Sequence, residues 1–422
     1  MRHFSYLSDA ETSRLFHRPP QELGLESDAG LLATALGATL YSPGTRPDLA
    51  KDVRKQAARG ALSMVLCLED SIADADVPEA ETNVLAALGQ LYAESRPVPD
   101  PAADAAADAA GASVAAGDPG DTDDIGDAAG LMLFVRVRSP EQMLLLAERA
   151  GTTLDVLTGF VLPKFENTTG AAQRFLDALH TVNAARSADH PGARPLRIMP
   201  ILESPLMIHA ESRTDTLAGI YQVLKANRPD ILSVRIGATD MSSAYGLRRS
   251  RDLTIYDVKV VSNVIGDIVN MLGRPGGFII SGPVWEHYSS GERLLRPQLR
   301  STPFAEADEL GLRQRLLTAN LDGLIREIEL DQANGLLGKT VIHPSHVPLV
   351  HAMSVISHEE YLDALHISGE AGGGAAASPY RNKMNEMKPH QAWAASTLVR
   401  AAAFGVAAPD ITYVDLLEAS MI

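Results

Sequence analysis

The chain has 422 residues, 45% apolar and 21% charged, which is typical of a globular protein with one large domain and additions. Its formal net charge of −16 disfavours binding to nucleic acid or anionic membranes, and no apolar run is long enough to span a membrane. A single cysteine, Cys67, excludes an internal disulfide bond, and the start of the chain lacks a signal-peptide core, so we expect a cytoplasmic protein.

Short apolar runs of strand length alternate with helical patterns along most of the chain. They predict eight strands, at 38–41, 63–68, 131–137, 159–163, 196–202, 231–238, 277–281 and 339–342. Helical patterns lie between them, for example at 47–60, 139–151 and 311–330. This alternation predicts an α/β fold, a (β/α)8 TIM barrel, although a doubly wound open sheet gives a similar pattern. The common nucleotide-binding glycine motifs are missing from the sequence.

Composition divides the rest of the chain around this barrel, which we place at 31–367. An N-terminal extension covers 1–30, and a Gly/Ala linker at 368–378 leads to a C-terminal helical segment at 379–422. Inside the barrel, an insert at 97–130 is rich in Ala and Asp and has no aromatic residue or apolar period. Such a stretch cannot bury enough apolar surface to offset its ordering entropy, so we predict a disordered loop.

Ionisable side chains follow the predicted strands at their C-terminal ends, where TIM barrels carry their reactive groups. Only the seventh strand, which ends in Ser281-Gly282, lacks one, and the eighth ends in His343. The second to sixth strands deliver Glu69, Asp70, Arg136, Arg138, Lys164, Glu203 and Asp240. Because parallel strands end at one mouth, we expect these side chains to converge there.

The set of residue types indicates metal-assisted chemistry. Carboxylates with waters and ligand oxygens suit Mg²⁺, whereas no His or Cys pair with zinc spacing occurs. Arg136 can bind a substrate carboxylate through two hydrogen bonds. A metal that chelates a 2-oxo acid acts as a Lewis acid and stabilises the enolate formed when a neighbouring carbon–carbon bond breaks or forms.

The same residues carry a resemblance to the HpcH/HpaI aldolase and citrate lyase β-subunit superfamily, in a longer bacterial subgroup. Seven segments match its landmarks in order, at 38–53, 63–74, 133–139, 161–164, 200–204, 236–240 and 338–347. The second of them, SMVLCLEDSIAD, is similar to the "DLEDAV" signature. Cys67 stands where relatives often carry Asp, and Arg138 where they often carry Asn.

This resemblance implies a magnesium-dependent carbon–carbon bond lyase that acts on a small 2-oxo acid or 3-hydroxyacyl substrate. It makes Glu203 and Asp240 the metal ligands, Arg136 the group that binds the substrate carboxylate, and Glu69 and Asp70 an acidic pair near the metal. Relatives cleave acyl-CoA thioesters and are commonly homotrimers or homohexamers. No residue of this sequence matches a contact to CoA, so a CoA thioester is an option without a motif.

We therefore assign Glu69, Asp70 and Arg136 to catalysis, with Glu69 ahead of Asp70 as general base. On the substrate side we place Arg136, Arg138, Lys164 and Gly237. Gly237 fits a close backbone approach or a positive φ.

Each residue also has a structural interpretation. Glu203 and Asp240 could cap the helices that follow them, and Arg136 could form an ion pair with Glu69. Lys164 fits a salt bridge better than a Schiff base, and His343 fits a turn.

Two other functions stay open. One is a metal barrel for phosphoenolpyruvate-type substrates, with Arg138, Arg248 and Arg249 on the phosphate. The other is a non-catalytic binding protein that retains the metal site.

Overall fold

The computed structural model describes residues 1–95, 130–288, 321–369 and 373–420. The predicted disordered insert lies outside the described residues, apart from Gly130. The same holds for the first half of the helical pattern predicted at 311–330.

Eight of the described strands form one parallel sheet that closes on itself. In chain order the strands are β1 (Phe16–Arg18), β2 (Ala38–Pro43), β3 (Ser63–Cys67), β4 (Met132–Arg136), β5 (Gly159–Leu162), β6 (Arg197–Leu202), β7 (Val234–Ile236), β8 (Ile280–Ser281), β9 (Lys339–Val341), β10 (Ala375–Ala377), β11 (Met384–Glu386) and β12 (Val406–Ala407). Strands β2 to β8 pair with their chain neighbours, and β9 pairs with β2. A parallel bridge from Gly282 to Lys339 joins β8 to β9. All eight predicted strands are confirmed, and so is the TIM barrel.

Helices surround this barrel. They are Asp9–Leu15, Ala29–Ala35, Leu49–Ala58, Val77–Ser95, Pro140–Ala150, Ala171–Asp189, Pro205–Ile208, Ala210–Ala226, Ala238–Ser243, Lys259–Leu272, Asp322–Ala333, Val347–Ala352, His358–Gly369, Met387–Phe404 and Tyr413–Ser420. None of the described helices is long and apolar enough to cross a membrane.

The helix Pro140–Ala150 shows why these segments fold as they do. Ser139 accepts a hydrogen bond from the Gln142 amide, and proline occupies the first helical position, where its missing N–H costs nothing. Met143 and Leu146 lie one turn apart and are buried in the core outside the barrel.

The barrel interior is mostly apolar and is closed at the N-terminal ends of its strands. Val65, Phe134, Val161 and Met199 belong to one buried cluster that also includes Phe404 from the helix Met387–Phe404. The floor of the barrel is thus sealed, and its open mouth lies at the C-terminal ends of the strands.

The two ends of the described chain meet. Phe16 in β1 pairs with Ala407 in β12, in antiparallel order. Residues 375–377, inside the segment predicted as a linker, form β10 and pair with β11. The C-terminal segment contains the helices Met387–Phe404 and Tyr413–Ser420. The N-terminal extension and the C-terminal segment therefore pair with each other, and Phe404 of that segment packs against residues of the barrel interior.

Candidate active site

Arg136, the last residue of β4, is the centre of a charged group at the mouth. Its Nη2 lies 2.5 Å from Glu69 Oε2, 3.1 Å from Asp70 Oδ2 and 3.3 Å from Glu203 Oε1. Its Nε is buried and has no hydrogen-bond partner among the described residues. Burial alone would lower the pKa of Arg136, but Glu203 and the other anions around it raise that pKa. The ion pair with Glu69 that the sequence left open is therefore present.

Lys164 follows β5 and adds a second cation. Its Nζ donates a hydrogen bond of 3.0 Å to Glu69 Oε1 and lies 3.9 Å from Asp70 Oδ1. Burial alone would lower the pKa of Lys164, but its hydrogen bond with Glu69 and the carboxylate charges raise it. The amine is thus protonated at neutral pH, which disfavours a Schiff-base role.

The backbone of Lys164 also belongs to the site. Its φ of 48° lies in the left-handed region, which is uncommon for a residue with a side chain. In this conformation its N–H donates a hydrogen bond of 3.0 Å to Glu203 Oε1. Uncommon backbone conformations of this kind concentrate at functional sites.

Glu203 follows β6 and is only 3% exposed. Burial raises the pKa of Glu203 to about 8; Arg136 opposes this shift, and the negative charge of Asp240 adds to it. A buried carboxyl group that is protonated at neutral pH is costly to ionise without a cation. Its position beside Asp240 is thus suited to an exchange of its proton for a cation.

Gly237 makes room for Glu203. A Cβ atom at position 237 would lie 2.0 Å from Glu203 Oε2, a distance that real Cβ atoms do not tolerate. The φ of Gly237 is −94°, so close approach, not a positive φ, explains the glycine. Asp240 lies in the helix Ala238–Ser243, which begins directly after Gly237.

Glu69 and Asp70 differ although they are adjacent. Burial raises the pKa of Glu69, and its hydrogen bond with Asp70 adds to the shift. Burial alone would raise the pKa of Asp70 as well, but Glu69, Arg136 and Lys164 lower it overall. Asp70 is also half exposed, whereas Glu69 is buried. The pair thus offers one ionised carboxylate and one carboxyl group that binds its proton more tightly.

We call these six residues the mouth cluster: Glu69, Asp70, Arg136, Lys164, Glu203 and Asp240. The described residues include no group of three or more His, Cys, Asp or Glu side chains that could hold a metal ion by themselves. Mg²⁺ does not need one, because it often takes one or two carboxylates and completes its coordination with waters and ligand oxygens. Four carboxylates against two cations leave the cluster with an excess of acids, which fits a divalent cation.

Other predicted residues lie apart from the cluster. Arg138 donates hydrogen bonds to the Leu68 carbonyl at 2.8 Å and to Asp74 at 2.7 Å. The ring of His343 accepts from the Ser345 amide and stacks on Tyr288, as expected for a residue that fixes a turn. The assignment of Arg138 to the substrate stays a prediction.

A second group of charges, which the sequence did not lead us to expect, lies between the barrel and the helix Asp322–Ala333. Lys339 Nζ donates to Glu327 Oε1 at 3.0 Å and to Asp331 Oδ2 at 2.6 Å. Arg249 bonds to Glu327 Oε2, and Tyr256 donates to Asp331 Oδ1 at 2.8 Å. We call these five residues the buried network. Because Arg249 is occupied there, the geometry disfavours the phosphate site that included it.

Sequence reasoning also missed Tyr41 and Arg235, which line the barrel beneath the mouth cluster. Arg235 is 1% exposed and lies inside an apolar strand. The same signal, a charged residue inside an apolar strand, drew attention to Arg136 and could also have identified Arg235.

Comparison with known proteins identifies the family. The model of the C–C bond lyase family of the TIM-barrel fold matches residues 30–406. No curated protein matches the chain.

Solved structures share the fold. A citrate lyase from Burkholderia xenovorans LB400 is 15% identical, with a TM-score of 0.55, over 92% of this chain and 96% of that one. CitE from Mycobacterium tuberculosis, in complex with magnesium, acetoacetate and coenzyme A, is 19% identical with a TM-score of 0.47, over 87% and 99%.

The chain thus belongs to the C–C bond lyase family of the TIM-barrel fold, and it is a carbon–carbon bond lyase. The carbon–carbon bond lyase of the TIM-barrel type that the predicted resemblance implied is confirmed.

Proposed function

We propose that this lyase uses Mg²⁺ to cleave or form a carbon–carbon bond next to the carbonyl of a small 2-oxo acid. The observation that carries the proposal is the buried carboxyl group of Glu203, whose pKa burial raises to about 8, beside Asp240 at the barrel mouth. Such a group gains from a bound divalent cation, because Arg136 alone does not offset the cost of burying its charge.

Glu203 and Asp240 would hold the metal. When bound, Mg²⁺ supplies Lewis-acid stabilisation of negative charge on a chelating substrate oxygen. The carboxylates and Arg136 come from different strands that end at one mouth, and a rigid barrel holds such groups in a fixed orientation.

Arg136 and the acidic pair would orient the substrate and move the proton. We assign Arg136 to the substrate carboxylate, which would compete with Asp70 for the guanidinium. Asp70 is the weaker partner, because it is half exposed and its distance of 3.1 Å is longer than the 2.5 Å of Glu69. Burial raises the pKa of Glu69, which suits a general base better than the lowered pKa of Asp70, the second candidate.

The partner substrate and the assembly are also proposals. The M. tuberculosis protein was solved with coenzyme A, and we keep a CoA thioester as the candidate partner substrate without assigning residues to it. A homotrimer or homohexamer is what the family resemblance leads us to expect, and we keep the cytoplasm as its compartment.

Calorimetric titration tests the 2-oxo acid site directly. Oxaloacetate, pyruvate and glyoxylate are titrated into the full chain with and without Mg²⁺, and into Asp240→Asn. Asp215→Asn serves as the matched control, because Asp215 is exposed on an outer helix.

We expect magnesium-dependent binding in the wild type and in Asp215→Asn, and a loss on the order of 100-fold in Asp240→Asn. Binding that needs no magnesium, or that survives Asp240→Asn unchanged, would contradict the proposed site.

A further inference from the structure

Arg235 is a buried cation without an acidic partner. It lies in β7, is 1% exposed and points into the barrel interior. Its Nη1 donates to Thr39 Oγ1 at 3.1 Å, and its Nη2 donates to Thr340 Oγ1 at 2.5 Å. Its Nε has no hydrogen-bond partner, and no carboxylate forms an ion pair with it within the described ranges.

Stability does not account for this arginine. Taking a guanidinium out of water costs several kcal/mol, and neutral hydroxyl groups return only part of that cost. Replacing buried charges with apolar side chains of similar size is often neutral or stabilising. Apolar side chains also surround Arg235, for example Met199, whose sulfur lies 3.8 Å from Arg235 Nη1.

On the side of the barrel mouth, Arg235 lies next to Tyr41. The guanidinium carbon lies 5.6 Å from the centre of the Tyr41 ring. Thr39 and Tyr41 are two residues apart in β2, so their side chains share the interior face of the strand. Thr39 accepts a hydrogen bond from Arg235. Tyr41 lies two residues further along β2, closer to the C-terminal end of the strand, where the mouth lies.

Tyr41 connects this layer with the mouth cluster. It is partly exposed, and its phenol interacts electrostatically with Arg136 and Glu203 as well as with Arg235 and Cys67. Burial raises the pKa of Tyr41, so the phenol keeps its proton and can donate it in a hydrogen bond. The phenol of Tyr41 thus lies on the mouth side of this layer, with the fixed positive charge of Arg235 beneath it.

We propose that Tyr41 donates a hydrogen bond to the C2 oxygen of the bound 2-oxo acid, and that Arg235 is a positioning residue that fixes Tyr41 and places a positive charge beneath that oxygen. This inference rests on the proposed function. In the retro-aldol route that releases the 2-oxo acid as its enolate, that oxygen gains negative charge as the bond breaks. In the retro-Claisen route it carries the negative charge of the alkoxide, which forms when the substrate hydroxyl loses its proton and becomes the carbonyl as the bond breaks. A preorganised donor and charge in a site of low dielectric stabilise such an oxygen without reorganisation.

The test compares two ligands that differ in charge at this oxygen. Pyruvate carries a neutral keto oxygen there, whereas oxalate carries a carboxylate and mimics the planar enolate. Both are titrated calorimetrically, with saturating Mg²⁺, into wild type, Tyr41→Phe, Arg235→Met and the control Tyr221→Phe on an outer helix. Thermal unfolding of each variant is measured in parallel.

We expect Tyr41→Phe and Arg235→Met each to weaken oxalate binding about tenfold, and pyruvate binding less than about threefold. Arg235→Met should unfold at the same temperature as the wild type or higher, because it removes an unpaired buried charge. Tyr221→Phe should change neither ligand.

Four results would overturn the proposal. Equal loss of both ligands in Tyr41→Phe would show a structural role, and so would a clear drop in the unfolding temperature, or a failure to fold, of Arg235→Met. An unchanged ratio of oxalate to pyruvate affinity in both variants would sink the inference but leave the proposed function intact. A wild type that binds neither ligand with Mg²⁺ would sink both.

Discussion

The mouth cluster and the buried network are both built from Arg, Lys, Asp and Glu, yet they differ in charge balance and in access to solvent. The buried network has two carboxylates, Glu327 and Asp331, for two cations, Arg249 and Lys339, and these four residues are at most 6% exposed. The mouth cluster has four carboxylates for two cations, and side chains such as Lys164 and Asp70 are about half exposed.

This difference distinguishes a structural group of charged residues from a ligand site in the same barrel. In the buried network each charged side chain has an ionic partner, so an added ion would find no free charge. In the mouth cluster, burial raises the pKa of Glu203 to about 8; Arg136 opposes this shift, and the charge of Asp240 adds to it. The first group is complete without a ligand, and the second is not.

Among the variants that test this comparison, Lys339→Met has the largest expected effect, and that effect is on stability. It leaves Glu327 and Asp331 facing each other in the core without their shared cation, so we expect a loss of about 3–5 kcal/mol in the free energy of unfolding. Urea denaturation measures it, with Lys51→Met on an exposed helix position as the control. A loss below about 1 kcal/mol would mean that the buried network is not a closed structural unit.

Gly237→Ala tests the mouth cluster without changing any charge. The added Cβ would lie 2.0 Å from Glu203 Oε2, so the carboxylate has to move. We expect magnesium affinity to fall about 10–100-fold, as measured by calorimetry. The control Gly219→Ala lies in an outer helix, where a Cβ meets nothing closer than 3.9 Å. Equal affinity in Gly237→Ala and the wild type would remove Glu203 from the metal site.

The pH dependence of magnesium binding sharpens the comparison further. Below its pKa of about 8, Glu203 is protonated in the free protein, and a metal must displace that proton. Affinity should therefore rise about tenfold from pH 6.5 to 7.5 and level off above about pH 8. The matched variant Glu203→Gln should bind weakly and lack this rise. A flat profile in the wild type would show that Glu203 is already ionised.

Arg138→Gln should have the smallest effect. Its ion pair with Asp74, which is 90% exposed, contributes at most about 1 kcal/mol to stability. Because Arg138 points to Leu68 and Asp74, we expect 2-oxo acid affinity in the same titration to change less than about threefold. A loss of tenfold or more would support the substrate role that the sequence predicts.

The barrel could be predicted from sequence because its strands are buried on both faces and so form continuous apolar runs. The mouth could be predicted for the same reason, since a charge directly after such a run must lie at its open end. The second predicted strand, SMVLCL, is followed directly by Glu69 and Asp70. These eight residues show both the apolar run and the charges at its end.

The pairing of charges could not be decided in this way. The sequence left the ion pair between Arg136 and Glu69 as one alternative, and the register of β3 and β4 places the two residues together. Glu327 and Asp331 are four residues apart on one helix face, which also fits a solvated surface; only tertiary contact with Lys339 shows that they are buried. Arg235 was within reach, because it interrupts an apolar strand just as Arg136 does.

The antiparallel pairing of β1 with β12 has a consequence for the order of folding. Phe16 cannot reach its partner Ala407 until nearly the whole chain has left the ribosome. Loop closure over such a separation is slow compared with the formation of neighbouring strand–helix units. The barrel can therefore assemble strand by strand during synthesis, before its N-terminal end is closed. The pairing of β1 with β12 is then a late event that completes the native state.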